Sequence, residues 1–114
     1  MKFVKSCRVA VFVPSDSAEG FIAAVSGKLP VLFGNYDHVC WWSEPGTEQF
    51  RPLSGAHPVE GEIGKTERVR SIRVEFSLPG ERETVEQFVR DVVMPAHPWE
   101  QPVIMIYEAE IAQI

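Results

Sequence analysis

From Val69 to Leu78 the chain alternates strictly between apolar and polar residues. Ile72, Val74, Phe76 and Leu78 fall on one side, and Ser71, Arg73, Glu75 and Ser77 on the other. A period of two is the signature of a β-strand with one buried face. A slip of one residue would drive an arginine and a glutamate into the core, so the register of this strand is tightly specified. The opposite face is left wet or paired with another chain. Whatever else the chain does, it must build a sheet around this strand and cover one side of it.

The remaining pattern supplies that cover. Val4 to Val13 sets Val9, Val11 and Val13 on one face and Ala10 and Phe12 on the other, which predicts a central strand covered on both sides. Pro14 ends it, and Asp16 and Glu19 have the spacing of a capping box. Phe21, Ile22, Val25 and Leu29 then recur at helical spacing, predicting a helix of roughly four turns closed by Gly27 and Pro30. Asn35 to Ser43 reads as a second strand. Pro45-Gly46 reads as a turn, and Gln49 to Leu53 as a short returning strand. Gly55, Pro58, Gly61 and Gly64 mark 54–67 as a loop long enough to suggest a functional role. After Leu78, Pro79-Gly80 and the acidic Glu81, Glu83 and Glu86 announce a second helix. Val85, Phe88, Val89, Val92 and Val93 form its stripe, Met94-Pro95 its end, and Val103 to Ile111 the final strand. The order predicts an α+β, ferredoxin-like βαββαβ fold with an antiparallel sheet, both helices on one face and an extra hairpin or loop at 45–67.

Composition excludes several functions. A chain of 114 residues is large enough for one domain, 1–114, with a core of its own. The net charge of −5 argues against nucleic acid, which requires a basic face. No window approaches the roughly 20 apolar residues of a membrane span. No uninterrupted apolar stretch follows Met1-Lys2-Phe3-Val4-Lys5, so a signal peptide is not expected, and Cys7 and Cys40 form neither a CxxC pair nor a disulfide framework; the expected location is cytoplasmic.

Several short motifs occur together. Gly34-Asn35-Tyr36-Asp37, Pro45-Gly46-Thr47, Phe50-Arg51-Pro52-Leu53, Gly55-Ala56-His57-Pro58 and Gly61-Glu62-Ile63-Gly64 are followed by Glu67-Arg68-Val69 and by Ala96-His97-Pro98-Trp99-Glu100-Gln101-Pro102. In this order they resemble the YqfO-type insert domain of the NIF-three-like family, and the last is also similar to a segment of the CutA family. The resemblance implies a single CutA/PII-like domain whose relatives assemble through their sheets, typically as trimers, with a dimer as the other option. It implies a free-standing copy of the insert, since the family's two-metal site belongs to a flanking domain for which this chain has no room. The family more often has Asn where this chain has His57, so no role for His57 is inherited.

Ala96–Pro102 holds a His, a Trp and a Glu on a corner stiffened by two prolines. With the earlier Ala56-His57-Pro58-Val59-Glu60, it offers His57, Glu60, His97 and Glu100 as ligands for a divalent metal ion, should the loop fold back or a neighbouring subunit supply it. The alternative is structural: His97 caps the helix and Trp99 plugs the sheet edge, and this reading is the favoured one. Tyr36 and Asp37, with Trp99, are candidates for a small ligand, against a plain role as a strand entry. His38 and Cys40, two apart on the expected strand, would share a face as half of a soft-metal site, although a core cysteine is the better reading. Trp41 and Trp42 would face opposite ways, one into the core and one towards a partner. No nucleophile elbow, phosphate loop or catalytic dyad appears.

These readings converge on a small non-enzymatic homo-oligomer that binds a small ligand or divalent metal between subunits, or serves regulation or assembly. The alternative is a metal-dependent enzyme or accessory protein using His57, His97 and nearby carboxylates.

Overall fold

The computed structural model describes residues 1–114. Strand β1 (Lys2–Pro14) is followed by a 3-10 turn (Ser15–Ser17) and helix α1 (Ala18–Ser26). Strands β2 (Trp41–Trp42), β3 (Gly46–Phe50) and β4 (Glu67–Pro79) come next, then helix α2 (Arg82–Phe88) and, last, strand β5 (Ile104–Gln113). The antiparallel sheet runs β2-β4-β1-β5, with β3 also paired to β4. The expected α+β arrangement is therefore present, and its topology follows from the register. Val9 lies opposite Phe76, Val11 opposite Val74 and Val13 opposite Ile72, so the apolar faces of β1 and β4 coincide. Phe21 and Val25 of α1, Val85 of α2 and Val93 beyond it pack on that face. Both helices thus cover one side.

On the open side, Arg8 and Arg73 each bring Nε to the Glu75 carboxylate, at 3.0 and 2.7 Å. Partial burial works against ionisation of Glu75, but the hydrogen bonds and charges of the two arginines outweigh it and hold the carboxyl below its ordinary value. The Arg73 guanidinium also lies 5.7 Å from the centre of the Phe12 ring.

Several boundaries differ from expectation. The expected strand 35–43 contracts to Trp41–Trp42, because His38 takes a left-handed conformation (φ 57°) and Phe33 and Tyr36 close a local turn. Neither tryptophan fills the core; each is 51% exposed, since so short a strand meets only β4. The returning strand is Gly46–Phe50 rather than 49–53, matched residue by residue to Glu67–Ser71. Helix α1 has nine residues, not four turns, and Leu29 packs on the core from beyond its end. The capping-box spacing of Asp16 and Glu19 is unused: Ser15–Ser17 forms a separate turn, and α1 has no side-chain cap. The second helix does not stop at Met94-Pro95. From α2 it continues through a π-helical stretch, Val89–Val93, into a last turn, Met94–Ala96. Pro95 has no N–H to give, and the wider π turn before it relieves the clash of its ring with the preceding turn. No helix is long and apolar enough to cross a membrane.

Two glycines respond oppositely to a methyl group. A Cβ on Gly80 would meet the backbone of Lys5 and Ser6 at 3.1–3.2 Å, whereas one on Gly20, inside α1, would meet nothing within 4 Å. Gly80→Ala is expected to cost about 1–3 kcal/mol through overpacking. Gly20→Ala is expected to add about 0.5–1 kcal/mol through helix propensity. Urea unfolding of the two variants checks both signs.

Candidate functional site

The end of the second helix and the start of β5 are joined across the rim of the sheet, and His97 makes the joint. Its N–H bonds the carbonyls of Val93 and Met94, which closes the helix, and its backbone is extended, as Pro98 requires. The ring is buried. Its Nε2 lies 2.8 Å from the Phe12 carbonyl of β1, and its Nδ1 accepts the Trp99 N–H at 3.1 Å. These partners assign the neutral tautomer with the proton on Nε2. Burial pushes the imidazole below its ordinary range; the Phe12 carbonyl and the nearby Glu48 charge pull the other way without overcoming it.

Next to this joint, the loop after β3 folds back. The His57 N–H donates to Glu100 Oε1 at 2.8 Å. Phe50 and Trp99 pack with ring centres 5.0 Å apart and an interplanar angle of 56°. Gly61 turns beside Phe50 with φ +87°, a conformation that favours glycine. The result is a cleft of about 280 Å³ with an apolar wall built from Phe50, Leu53, Val59 and Trp99. Arg51, Glu60, Glu100 and Gln101 supply its polar rim. Neither Arg51 nor Glu60 takes part in an ion pair. The lining contains no Ser, Thr, Cys, His or Lys; its ionisable groups are Arg51, Glu60 and Glu100. Aromatic area with one free cation and one free carboxylate suits a small, partly apolar molecule with polar ends.

The predicted residues are distributed unequally around this cleft. Trp99, Glu60 and Glu100 line it. His57 reaches Glu100 with its backbone, not its imidazole, which stands on an exposed loop. His97 is at the joint, with both ring nitrogens bonded to backbone. The two histidine-bearing segments therefore do meet, but no three His, Cys, Asp or Glu side chains of one chain come together as a metal-holding group. Tyr36 and Asp37 sit elsewhere, in the exposed turn, where Asp37 pairs with His38 Nδ1 at 3.1 Å. His38 and Cys40 share no strand face, because neither belongs to a strand. Burial raises the Cys40 thiol above its ordinary value, against the opposing charge of Arg8, which makes it a poor thiolate. Phe50 and Arg51 were missed as site residues. Their signal was an aromatic and a cation immediately before Pro52, following a short strand.

No family model matches the chain. Over 103 residues it is 35% identical to a Bacillus subtilis protein described as a GTP cyclohydrolase 1 type 2 homolog, covering 90% of this chain and 26% of that one. A Mycobacterium leprae protein of the same description is 38% identical over 97 residues, 85% of this chain and 24% of its own. The chain thus spans about a quarter of the length of the curated relatives it matches. Among solved structures, a Bacillus cereus protein related to NIF3 superposes with a TM-score of 0.73 and 28% identity, covering 96% of this chain and 27% of that one. Bacillus subtilis GlnK superposes with a TM-score of 0.50 and 14% identity over 92% of this chain and 85% of its own, a likeness of fold.

Proposed function

Because the chain fits a NIF3-like domain, we propose that it is a small ligand-binding module of the PII-like kind, working as a homo-oligomer in regulation or assembly and not as an enzyme. One observation carries the ligand-binding part: the loop bearing His57 is anchored on Glu100 and roofs a cleft floored by Phe50 and Trp99. A loop held in this way presents its cleft with little ordering left to do on binding. Anilinonaphthalene sulfonate, an aromatic anion, is a suitable probe, because its rings would meet Trp99 and its sulfonate Arg51. Saturable binding is expected, lost in Trp99→Ala and weakened about tenfold in Arg51→Ala, the value of one charged contact. Binding that ignores both substitutions removes the cleft from the proposal.

Shape and surface support the oligomer. The radius of gyration is 15.4 Å, against roughly 13 Å for a compact domain of this length. The molecule measures 51 × 27 × 19 Å, with paired strands running out past the helices. Trp41 and Trp42 are half exposed, as are Met105, Ile106 and Tyr107 on the edge strand β5. Long apolar edges of this kind invite pairing. Light scattering is expected to give a mass that is a multiple of 12.8 kDa, with three copies favoured. A single-copy mass at micromolar concentration would overturn it. Free cysteines at Cys7 and Cys40 fit a cytoplasmic setting.

A further inference from the structure

Nearer the start of β3 than the Trp99 cleft lies a second cleft of about 250 Å³, between β3, β4 and the rim of β1. Most of the polar groups around it are matched. Ser43 Oγ accepts the Arg73 N–H at 2.9 Å, and Thr47 Oγ1 accepts from Arg70 Nη1 at 3.1 Å. Arg73 is held by Glu75. Two groups stand out. Glu48 Oε1 is buried without a hydrogen-bond partner, and so is Ser71 Oγ, on a residue only 5% exposed. Both residues line this cleft, and Glu44 adds a second carboxylate to its wall.

The register explains how they meet. Gly46 lies opposite Ser71 and Glu48 opposite Val69, so Glu48 and Ser71 stand on the same, open side of the sheet, two residues apart along the ladder. Gly46 has no side chain to bond the Ser71 hydroxyl. Buried polar groups in folded proteins are almost always paired, and unpaired ones call for an explanation. A carboxylate oxygen can only accept, and a serine hydroxyl can accept as well as donate. What complements them is a group rich in donors and bearing positive charge. A guanidinium is a wide planar fork, whereas a primary ammonium is compact, with three donors and no acceptor. The absence of a three-ligand cluster argues against a metal ion in the same place.

The geometry points to a binding site for a primary alkylammonium ion, with Glu48 and Ser71 as the hydrogen-bond acceptors and Glu44 as a second charge. The alkyl part would lie along Phe12. This site shares no lining residue with the Trp99 cleft.

The test uses n-butylammonium as the probe, titrated at constant ionic strength into the full chain while amide shifts are followed by NMR. Saturable shifts are expected at Ser43, Thr47 and Ser71, with half-saturation below roughly 10 mM for so small a ligand. Glu48→Gln keeps the size of the side chain and is expected to weaken binding at least tenfold. Ser71→Ala is expected to weaken it about threefold, in line with one neutral hydrogen bond. Tetramethylammonium has the charge but no N–H donor and should not saturate the same shifts. The proposal is overturned by any of three results: no saturation with n-butylammonium, equal competition by tetramethylammonium or magnesium, or unchanged affinity in Glu48→Gln with the unfolding midpoint preserved.

Discussion

Replacing His97 by alanine is expected to destabilise the protein by about 3 kcal/mol, since it leaves a buried acceptor and a buried donor unpaired at once. The Phe12 carbonyl would lose its donor and the Trp99 N–H its acceptor. Phe21, whose ring meets the imidazole edge to face at 6.0 Å, would lose part of its packing. His97→Gln keeps an N–H that can reach the Phe12 carbonyl and is expected to recover about 1 kcal/mol of the loss, the net worth of one hydrogen bond. Chemical denaturation of the two variants gives the comparison directly. If His97→Ala unfolds with the wild type, the imidazole is not the joint between helix, β1 and corner.

The same residue sets an acid dependence whose sign is fixed by its environment. Burial holds the folded imidazole below its ordinary value of 6.5, so the unfolded chain binds the proton more readily. Its contribution is therefore fully present above about pH 6.5 and is lost as pH falls towards the folded value. Protonation would also remove the acceptor that the Trp99 N–H uses. Glu75, lowered from 4.5, contributes stability that is present above that value and lost at more acid pH. The two windows are separable. Melting temperatures measured between pH 7.5 and 5 should fall in the wild type and stay flatter in His97→Gln. A wild-type profile that is flat across this range, or one that rises towards acid, would contradict the neutral buried imidazole.

The largest loss is expected at Phe76. It is fully buried, opposite Val9 in the ladder, and packs on Phe88 with ring centres 5.6 Å apart. Phe76→Ala removes a side chain from the centre of a close-packed layer and is expected to cost about 3–5 kcal/mol, transfer and cavity terms together. The exposed Tyr36, truncated in the same way, should change stability by less than about 0.5 kcal/mol. Urea midpoints decide it. A cost at Phe76 near 1 kcal/mol would mean that the helices do not close over β4 as described.

Much of the fold was legible because it rests on local periodicity. The alternation Ile72, Val74, Phe76, Leu78 marked β4 and its buried face, and Val9, Val11 and Val13 marked its partner. The helix stripes Phe21–Val25 and Val85–Val93 pointed to the layer that covers them. Elements without a repeating pattern were harder to place. Trp41 and Trp42 are good strand formers, yet the turn before them uses a left-handed His38, a conformation uncommon outside glycine, and the strand shrinks to two residues. The end of the second helix shows the same limit. Pro95 reads as a stop, but the π stretch ahead of it lets the helix run one turn further and carries His97 to β1.

The candidate site divides along the same line. From the sequence alone came the stiff corner Ala96–Pro102, since proline acts on its own neighbours, and the suspicion that a second His-Pro segment would return to it. The return happens, through the His57 N–H and the Glu100 carboxylate, a bond between residues 43 apart. Which atoms meet was decided only by tertiary structure. Side-chain chemistry allowed the imidazoles to converge on a metal but favoured a structural His97; a buried imidazole must satisfy both nitrogens, and the nearest groups are backbone. Tertiary structure supplied the partners that make His97 the joint of the fold. It also left Glu48 and Ser71, distant in sequence and ordinary in type, as the unpaired pair in a cleft. Periodicity is a property of neighbours along the chain, and sheets and helices follow from it. Satisfaction of buried polar groups depends on what lies across the fold, which only the folded chain determines.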